Sequence, residues 1–299
     1  MNVTTEELRA RLGRAGIFLP PPERIGVDPV AAAAAVERAG FTSLWVGGGN
    51  ATPAAFAERK SQLAGTDSLI VATGIANIWA WEPAELRAVS EDLDREFPGR
   101  FILGLGVSHA PAVAALGHAY ERPLQKMERF LGELDHPAHH GGERELPPIV
   151  LAALGPKMLG LARHAALGAH PYFTTPEHTR FARKKLGAEP LLVPEVAVTL
   201  ASDQAARATA RAYAARYVQL PNYTRNLERF GFESADFADG GSDRLISAVI
   251  PAGPAAVRAA VREHLDGGAD HVVIQPLGDG AFTQAVLGEL ASVVAEFMG

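Results

Sequence analysis

Ser108 and His109 close the apolar run RFILGLGVSHAP, residues 100 to 111, and are the neighbours whose side chains offer the most chemistry. An imidazole titrates near neutrality, so His109 is the first candidate for moving a proton. A serine beside a histidine also suggests acyl transfer. GVSHA, however, lacks the second glycine of a nucleophile elbow, and adjacent residues are badly placed to form a triad. GLGVSH fails as a dinucleotide fingerprint because its third glycine is missing. A second candidate is an anion site in LAALGPKMLGLARHA, residues 151 to 165, where a strand yields to a helix at Gly155 and Pro156. Free backbone amides and the helix dipole converge there, and Lys157 adds a full charge. The cluster His136, His139 and His140 lies in DHPAHHGGERE, whose glycines and charges read as an exposed loop without the spacing of a known metal site. No metal is assigned.

The elements that must hold these residues alternate along the chain. Runs 15 to 19, 41 to 47, 68 to 75, 100 to 108, 148 to 154, 169 to 173, 191 to 200 and 271 to 277 read as strands, with helix candidates between them. Asp28-Pro29, Glu82-Pro83, Gly155-Pro156, Thr175-Pro176 and Ser202-Asp203 read as helix starts, and Gly40, Gly168 and Gly268 as helix stops. Eight β-α units in a chain somewhat above the usual length of about 250 residues predict a single α/β domain over 1–299, a (β/α)8 TIM barrel. A doubly wound open sheet is the runner-up. The surplus length falls at about 221–253, which predicts a helical insertion between strands seven and eight.

Barrel enzymes work at the carboxyl ends of their strands. Here strand two ends in Trp45 to Asn50, strand three in Thr73, Gly74, Ile75, Ala76 and Asn77, and strand four in Gly104, Gly106, Val107, Ser108 and His109. By parity, Phe101, Leu103, Leu105 and Val107 share one face of strand four, while Ile102, Gly104, Gly106 and Ser108 share the other. So many small residues on neighbouring strands predict a hollow mouth that takes a flat ligand, with Gly104 and Gly106 leaving room for a ring.

The bulk properties set outer limits. The 299 residues are 47% hydrophobic, carry a formal charge of -6 and include no cysteine. This suits a globular protein and excludes disulfides and thiolate chemistry, and it argues against a broad nucleic-acid surface. The first residues lack the apolar core of a signal peptide, and no apolar segment is long enough to span a bilayer, so a cytoplasmic location is expected.

The blocks VATGIANIWAWEP (71 to 83), RFILGLGVSHAP, YERPLQKMERFLGELD (120 to 135), residues 151 to 179 and PNYTRNLERFGF (221 to 232) resemble the luciferase-like flavin and deazaflavin oxidoreductases. Within them the resemblance is to the coenzyme F-420-dependent branch. It implies a homodimer that exchanges hydride between F-420 and a small organic substrate. FMN with oxygen, as in a monooxygenase, is the close alternative, and a barrel that binds flavin without turnover is a third. The resemblance also implies a strand-three bulge with a non-prolyl cis peptide, Gly74 to Ile75, backing the ring beside Ala76 and Asn77. It places the cofactor phosphate at the turn Leu154, Gly155, Pro156, Lys157 and Met158, whereas the general tendency of barrels to bind phosphate after strands seven and eight makes Gly278 and Gly280 a competing site. His170 and Tyr172 would flank the cofactor, unless His170 is simply a buried, hydrogen-bonded histidine. Trp45 is either an aromatic wall over the ring or packing between sheet and helices. The basic run Arg180, Arg183, Lys184 and Lys185 is a solvated helix face or an attractor for the acidic tail of F-420. Phe18, Trp45 and Trp79 hint at an apolar ligand.

Overall fold

Every apolar run of the sequence contains a strand, and the helix starts fall where Pro, Asp and Thr mark them. In a computed structural model, which describes residues 4–48, 51–135 and 146–298, the order begins α1 (Thr5–Leu12), β1 (Ala15–Leu19), α2 (Pro22–Ile25), α3 (Pro29–Arg38), β2 (Ser43–Val46) and α4 (Pro53–Ala64). It continues β3 (Ile70–Thr73), β4 (Ala76–Asn77), α5 (Pro83–Glu96), β5 (Phe101–Gly106), α6 (Ala110–Ala115), α7 (Pro123–Leu134), β6 (Ile149–Leu151) and α8 (Pro156–Ala165). Next come β7 (Gly168–Ala169), α9 (Pro176–Leu186), β8 (Leu191–Leu192), β9 (Glu195–Val198), α10 (Gln204–Ala214), α11 (Pro221–Glu228), a 3-10 turn at Ser234–Gly240 and α12 (Asp243–Val249). The last elements are α13 (Pro254–Asp266), β10 (Val272–Pro276) and α14 (Gln284–Val293). Gly49, Asn50 and the His136, His139 and His140 cluster lie outside the described residues.

All strand pairings are parallel, in the order β8-β7-β6-β5-β3-β2-β1-β10-β9, with β4 also beside β5. The two ends of that order, β8 and β9, are separated in the chain only by Val193 and Pro194. The result is an α/β fold with a parallel sheet wrapped by helices, as in TIM-barrel proteins. Side-chain parity separates two cores. Phe101, Leu103 and Leu105 pack outward among the helices, whereas Ile102 joins Phe18, Trp45, Ala72, Val150, Val193 and Val273 in an inner cluster. Leu8 and Leu12 of α1 plug that inner cluster at its amino end.

Two glycine readings change. Gly40 and Gly268 follow α3 and α13 with φ of 90° and 96°, as helix stops should, but Gly168 begins β7. A Cβ there would lie 2.2 Å from the Leu191 carbonyl oxygen, so close approach of β8 is what requires glycine.

Candidate active site

A cavity of about 1420 Å³ opens at the carboxyl ends of the strands. That exceeds the 300 to 1,000 Å³ or so of ordinary ligand pockets, and leaves room for two molecules side by side. One wall comes from a bulge. Ala72 pairs with Ile102 and Ala76 with Leu105, so four residue steps on one strand face three on the next. The extra residue falls at Gly74 and Ile75, joined by a cis peptide bond, and both line the cavity with Asn77.

The glycines of β5 serve this bulge and not the ligand directly. A Cβ on Gly104 would lie 2.0 Å from the Thr73 carbonyl oxygen, and one on Gly106 would lie 2.5 Å from Ile75 Cδ1. The space expected for a ring beside Gly104 and Gly106 is therefore taken by the neighbouring strand, and Ile75 presents the wall instead. Thr73 is buried and donates from Oγ1 to the Gly104 carbonyl at 2.8 Å, and Ala76 faces the outer core. Neither side chain reaches the cavity.

Trp45 is neither a wall of the cavity nor packing between sheet and helices. It is fully buried in the inner cluster, stacked against His170 with ring centroids 4.5 Å apart and an interplanar angle of 24°. Its Nε1 donates to Ser43 Oγ at 3.2 Å, and Ser43 meets His271 Nε2 at 2.8 Å. Trp79 is held elsewhere, donating from Nε1 to the Val107 carbonyl at 3.0 Å, whereas Phe18 does line the cavity.

Val107, Ser108 and His109 border the cavity as placed from sequence. Ser108 has φ of 56°, and its carbonyl accepts from Tyr120 Oη at 3.3 Å. His109 Nε2 lies 3.5 Å from Tyr223 Oη, and burial holds its pKa below the usual histidine range while Asn222 opposes the shift. Burial thus favours the neutral imidazole, the form with a ring nitrogen free to act as a proton acceptor.

Leu154, Gly155 and Met158 line the cavity, but Pro156 and Lys157 are exposed and do not. Arg229, which follows α11, is exposed like Lys157 and does not line the cavity, but its side chain comes beside Gly155. Its Nη1 lies 3.6 Å from where a Cβ on Gly155 would sit. Gly278 and Gly280 line the same cavity across from this turn. The basic run of α9 does not reach it. Arg183 bonds the Gly268, Gly187 and Pro190 carbonyls and Asp270 at the amino end of β10, and Arg180 pairs with Glu177 at 2.8 Å.

His170 and Tyr172 both border the cavity, and His170 is also the buried, hydrogen-bonded histidine of the other reading. Along β8 and β9, the amides of Leu191, Val193 and Glu195 donate in turn to the carbonyls of Leu167, Ala169 and Pro171. The return bond to the Val193 carbonyl would come from residue 171, which is proline and has no N–H. His170 Nδ1 takes that place at 2.8 Å.

Sequence reasoning missed the floor. Glu195 shares the inward face with its register partner Val273, and Gln275 stands two residues further on. Both are buried and both line the cavity. Tyr172 Oη donates to Tyr213 Oη at 2.5 Å, Tyr217 Oη donates to Tyr213 Oη at 3.2 Å, and Tyr213 donates to Gln275 Oε1 at 2.5 Å. The available signal was a polar residue inside each of the apolar runs LLVPEVAVTL and HVVIQPL.

The profile of the luciferase-like monooxygenase family matches residues 27–244. The chain belongs to that family. Its luciferase-like fold recurs in solved structures of low sequence identity. The coenzyme F420-dependent tetrahydromethanopterin reductase from Methanopyrus kandleri is 17% identical with a TM-score of 0.76, over 97% of this chain and 100% of that one. An F420-dependent secondary alcohol dehydrogenase, in complex with an F420-acetone adduct, is 15% identical with a TM-score of 0.64, over 94% and 99%. The oxygenating constituent of 3,6-diketocamphane monooxygenase from Pseudomonas putida, in complex with FMN, is 12% identical with a TM-score of 0.66, over 96% and 97%. No curated protein matches the sequence. Members of the luciferase-like family are oxidoreductases and monooxygenases acting on small molecules. Among the described residues, no helix is long and apolar enough to cross a membrane.

Proposed function

We propose that this protein is a coenzyme F-420-dependent oxidoreductase that exchanges hydride between the deazaflavin and a small apolar organic substrate. The carrying observation is a single cavity of about 1420 Å³ that joins the Gly74–Ile75 bulge, the amide-rich turn at Leu154 to Met158 and the imidazole of His109. The residues fit such a group. The bulge offers a wall for a planar ring, and the turn at Leu154 and Gly155 offers amides for a phosphate, with the guanidinium of Arg229 beside Gly155 just outside the lining. The buried His109 Nδ1 has no hydrogen-bond partner among the described residues. Ile25 and Leu116, the large apolar side chains left exposed among the described residues, stand on the rim and suit an apolar substrate. The bound deazaflavin supplies the hydride chemistry, while the protein positions it, excludes water and moves the proton.

The preference for F-420 over FMN rests on the family branch that the five blocks between residues 71 and 232 resemble. The same reading takes β8 and β9 as one strand, which makes eight β-α units and a closed (β/α)8 barrel with α11 and α12 as its insertion. It also carries a homodimer in the cytoplasm that uses neither nucleic acid nor membrane. Fluorescence titration of the purified protein with each cofactor tests it. Micromolar binding of F-420 is expected, and micromolar FMN binding with no response to the deazaflavin would overturn the choice. His109→Ala should lower hydride exchange at least 100-fold over a panel of small apolar alcohols and ketones while changing cofactor affinity by less than about threefold. Tight binding of F-420 with no redox change across the panel would favour a carrier protein.

A further inference from the structure

We propose that Glu195, sharing one proton with His170, is the site's proton donor on the floor of the cavity, complementary to His109 as acceptor. Using that proton in catalysis rests on the oxidoreductase reading above; the shared proton itself does not.

The geometry assigns the hydrogens. The Val193 carbonyl can only accept, so His170 Nδ1 must carry a hydrogen. Nε2 is then the nitrogen that faces Glu195, at 3.6 Å from Oε2. Both side chains are buried, with 3% and 4% exposure, and Nε2 has no hydrogen-bond partner among the described residues. The separation is too long for a formed hydrogen bond, but a lone pair on Nε2 facing a bare carboxylate would be repulsive, so one member of the pair carries a proton. It sits on the carboxyl oxygen or on the imidazole. Trp45 stacks beneath the ring and keeps it from turning away.

The remaining polar groups around Glu195 hold their protons. Tyr172, on the β7 side, Tyr213 of α10, Tyr217 in the turn after it and Tyr223 of α11 face it, with Gln275 from β10. Burial first, then the neighbouring phenols and the Glu195 charge, push the Tyr172, Tyr213 and Tyr223 hydroxyls well above their usual range. The hydroxyl hydrogens of Tyr172, Tyr217 and Tyr213 are committed to one another and to Gln275. Behind His170 lies His271, whose Nδ1 faces the Gly13 carbonyl and whose Nε2 faces Ser43. Among the described residues the cation that lines this cavity is Arg216, whose guanidinium lies over the Tyr213 ring, 4.6 Å from its centroid, and it is not among the groups that draw the carboxyl down. Burial pushes Glu195 up to about 7, with His170 opposing, which puts its titration where a general acid is most effective. The imidazole of His109, which lines the same cavity, is shifted the other way, and such a divergence separates acid from base.

The step is a simple transfer. The Oε–H bond breaks, the proton moves to a basic oxygen or nitrogen of the bound molecule, and a carboxylate remains. Reversal takes the proton back. The occupant must therefore offer a polar atom at the floor and apolar surface towards Ile25 and Leu116.

Infrared difference spectra of the whole protein between pH 5 and 9, without cofactor, test the shared proton. Wild type should show a carboxylic C=O band that titrates near pH 7. Glu195→Gln should lose it, and Glu195→Asp should retain a titrating band. A wild-type spectrum with no such band, or one unchanged in Glu195→Gln, would overturn the proposal. Calorimetric titration with F-420 in two buffers of different ionisation enthalpy then tests its use. Binding should move a fraction of a proton in wild type and none in Glu195→Gln, and equal proton counts in both would overturn it. Cofactor binding without the titrating band refutes the pair and spares the oxidoreductase reading. A titrating band with binding of neither F-420 nor FMN refutes that reading, and with it the assignment of Glu195 as donor.

Discussion

Gly106→Ala is the sharpest probe of how the bulge is built. The added methyl would stand 2.5 Å from Ile75 Cδ1, 2.6 Å from Ile75 Cγ1 and 3.2 Å from Ala152 Cβ. Carbon atoms rest at about 3.5 to 4.0 Å, so the overlap is roughly 1 Å and falls on the end of a side chain that can swing into the cavity. Overpacking of this kind costs about 1 to 3 kcal/mol. At Gly104 the same methyl meets the Thr73 carbonyl oxygen at 2.0 Å, and backbone cannot swing away. Gly104→Ala should therefore cost more than Gly106→Ala. Urea denaturation gives both values, and adding Ile75→Ala to Gly106→Ala should recover about 1 kcal/mol or more as a coupling energy. Cofactor affinity, followed by fluorescence, should fall in Gly106→Ala and return to within about threefold of the Ile75→Ala single variant when the two are combined. If the combined variant binds as poorly as Gly106→Ala, the glycine faces the ring itself. Equal stability of Gly104→Ala and wild type would refute the steric account altogether.

Acid should destabilise the fold. Burial lowers His178 and His271 to about 4 and His264 to about 3, so each binds a proton more readily when unfolded, and stability falls as pH drops from about 6.5. Glu195, raised to about 7, has the opposite sign and gains stability as pH falls from 7 towards 4.5. Each shifted group is worth about 2 kcal/mol between pH 6.5 and 5, and three histidines outweigh one carboxyl, so the urea midpoint should be lower at pH 5 than at pH 7. A higher midpoint at pH 5 would contradict this. Tyr213→Phe removes the hydroxyl that joins Tyr172, Tyr217 and Gln275 and should cost about 1 to 3 kcal/mol in the same assay. Lys157→Ala should leave F-420 affinity nearly unchanged, whereas Arg229→Gln should weaken it about tenfold; the reverse order would return the phosphate to the lysine.

The alternation of strands and helices was legible because buried strands leave apolar runs and helix starts leave Pro, Asp and Thr at their first positions. Asp28 and Thr175 do accept from the amides of Ala31 and His178 as such caps should. Parity along β5 also told which side faces the helices. It did not tell what fills the other side. An empty face looks the same in sequence whether a ligand or a neighbouring strand occupies it, and here Thr73 and Ile75 do. Lys157 drew attention because it sits in the motif, while Arg229 comes beside Gly155 from 74 residues further along the chain through the packing of α11, which no local pattern reports. Glu195 and Gln275 were concealed by their apolar neighbours, although a charge in a buried run asks for a partner.

A missing atom at position 171 governs the ring beside it. Because proline offers the Val193 carbonyl nothing, the imidazole next in line stands in for a peptide amide, and one tautomer is written into the sheet's own bonding. Replacing Pro171 by alanine would restore an ordinary rung, free the ring to exchange its two nitrogens, and turn a chemically directed histidine into an undirected one without touching any residue that a substrate meets.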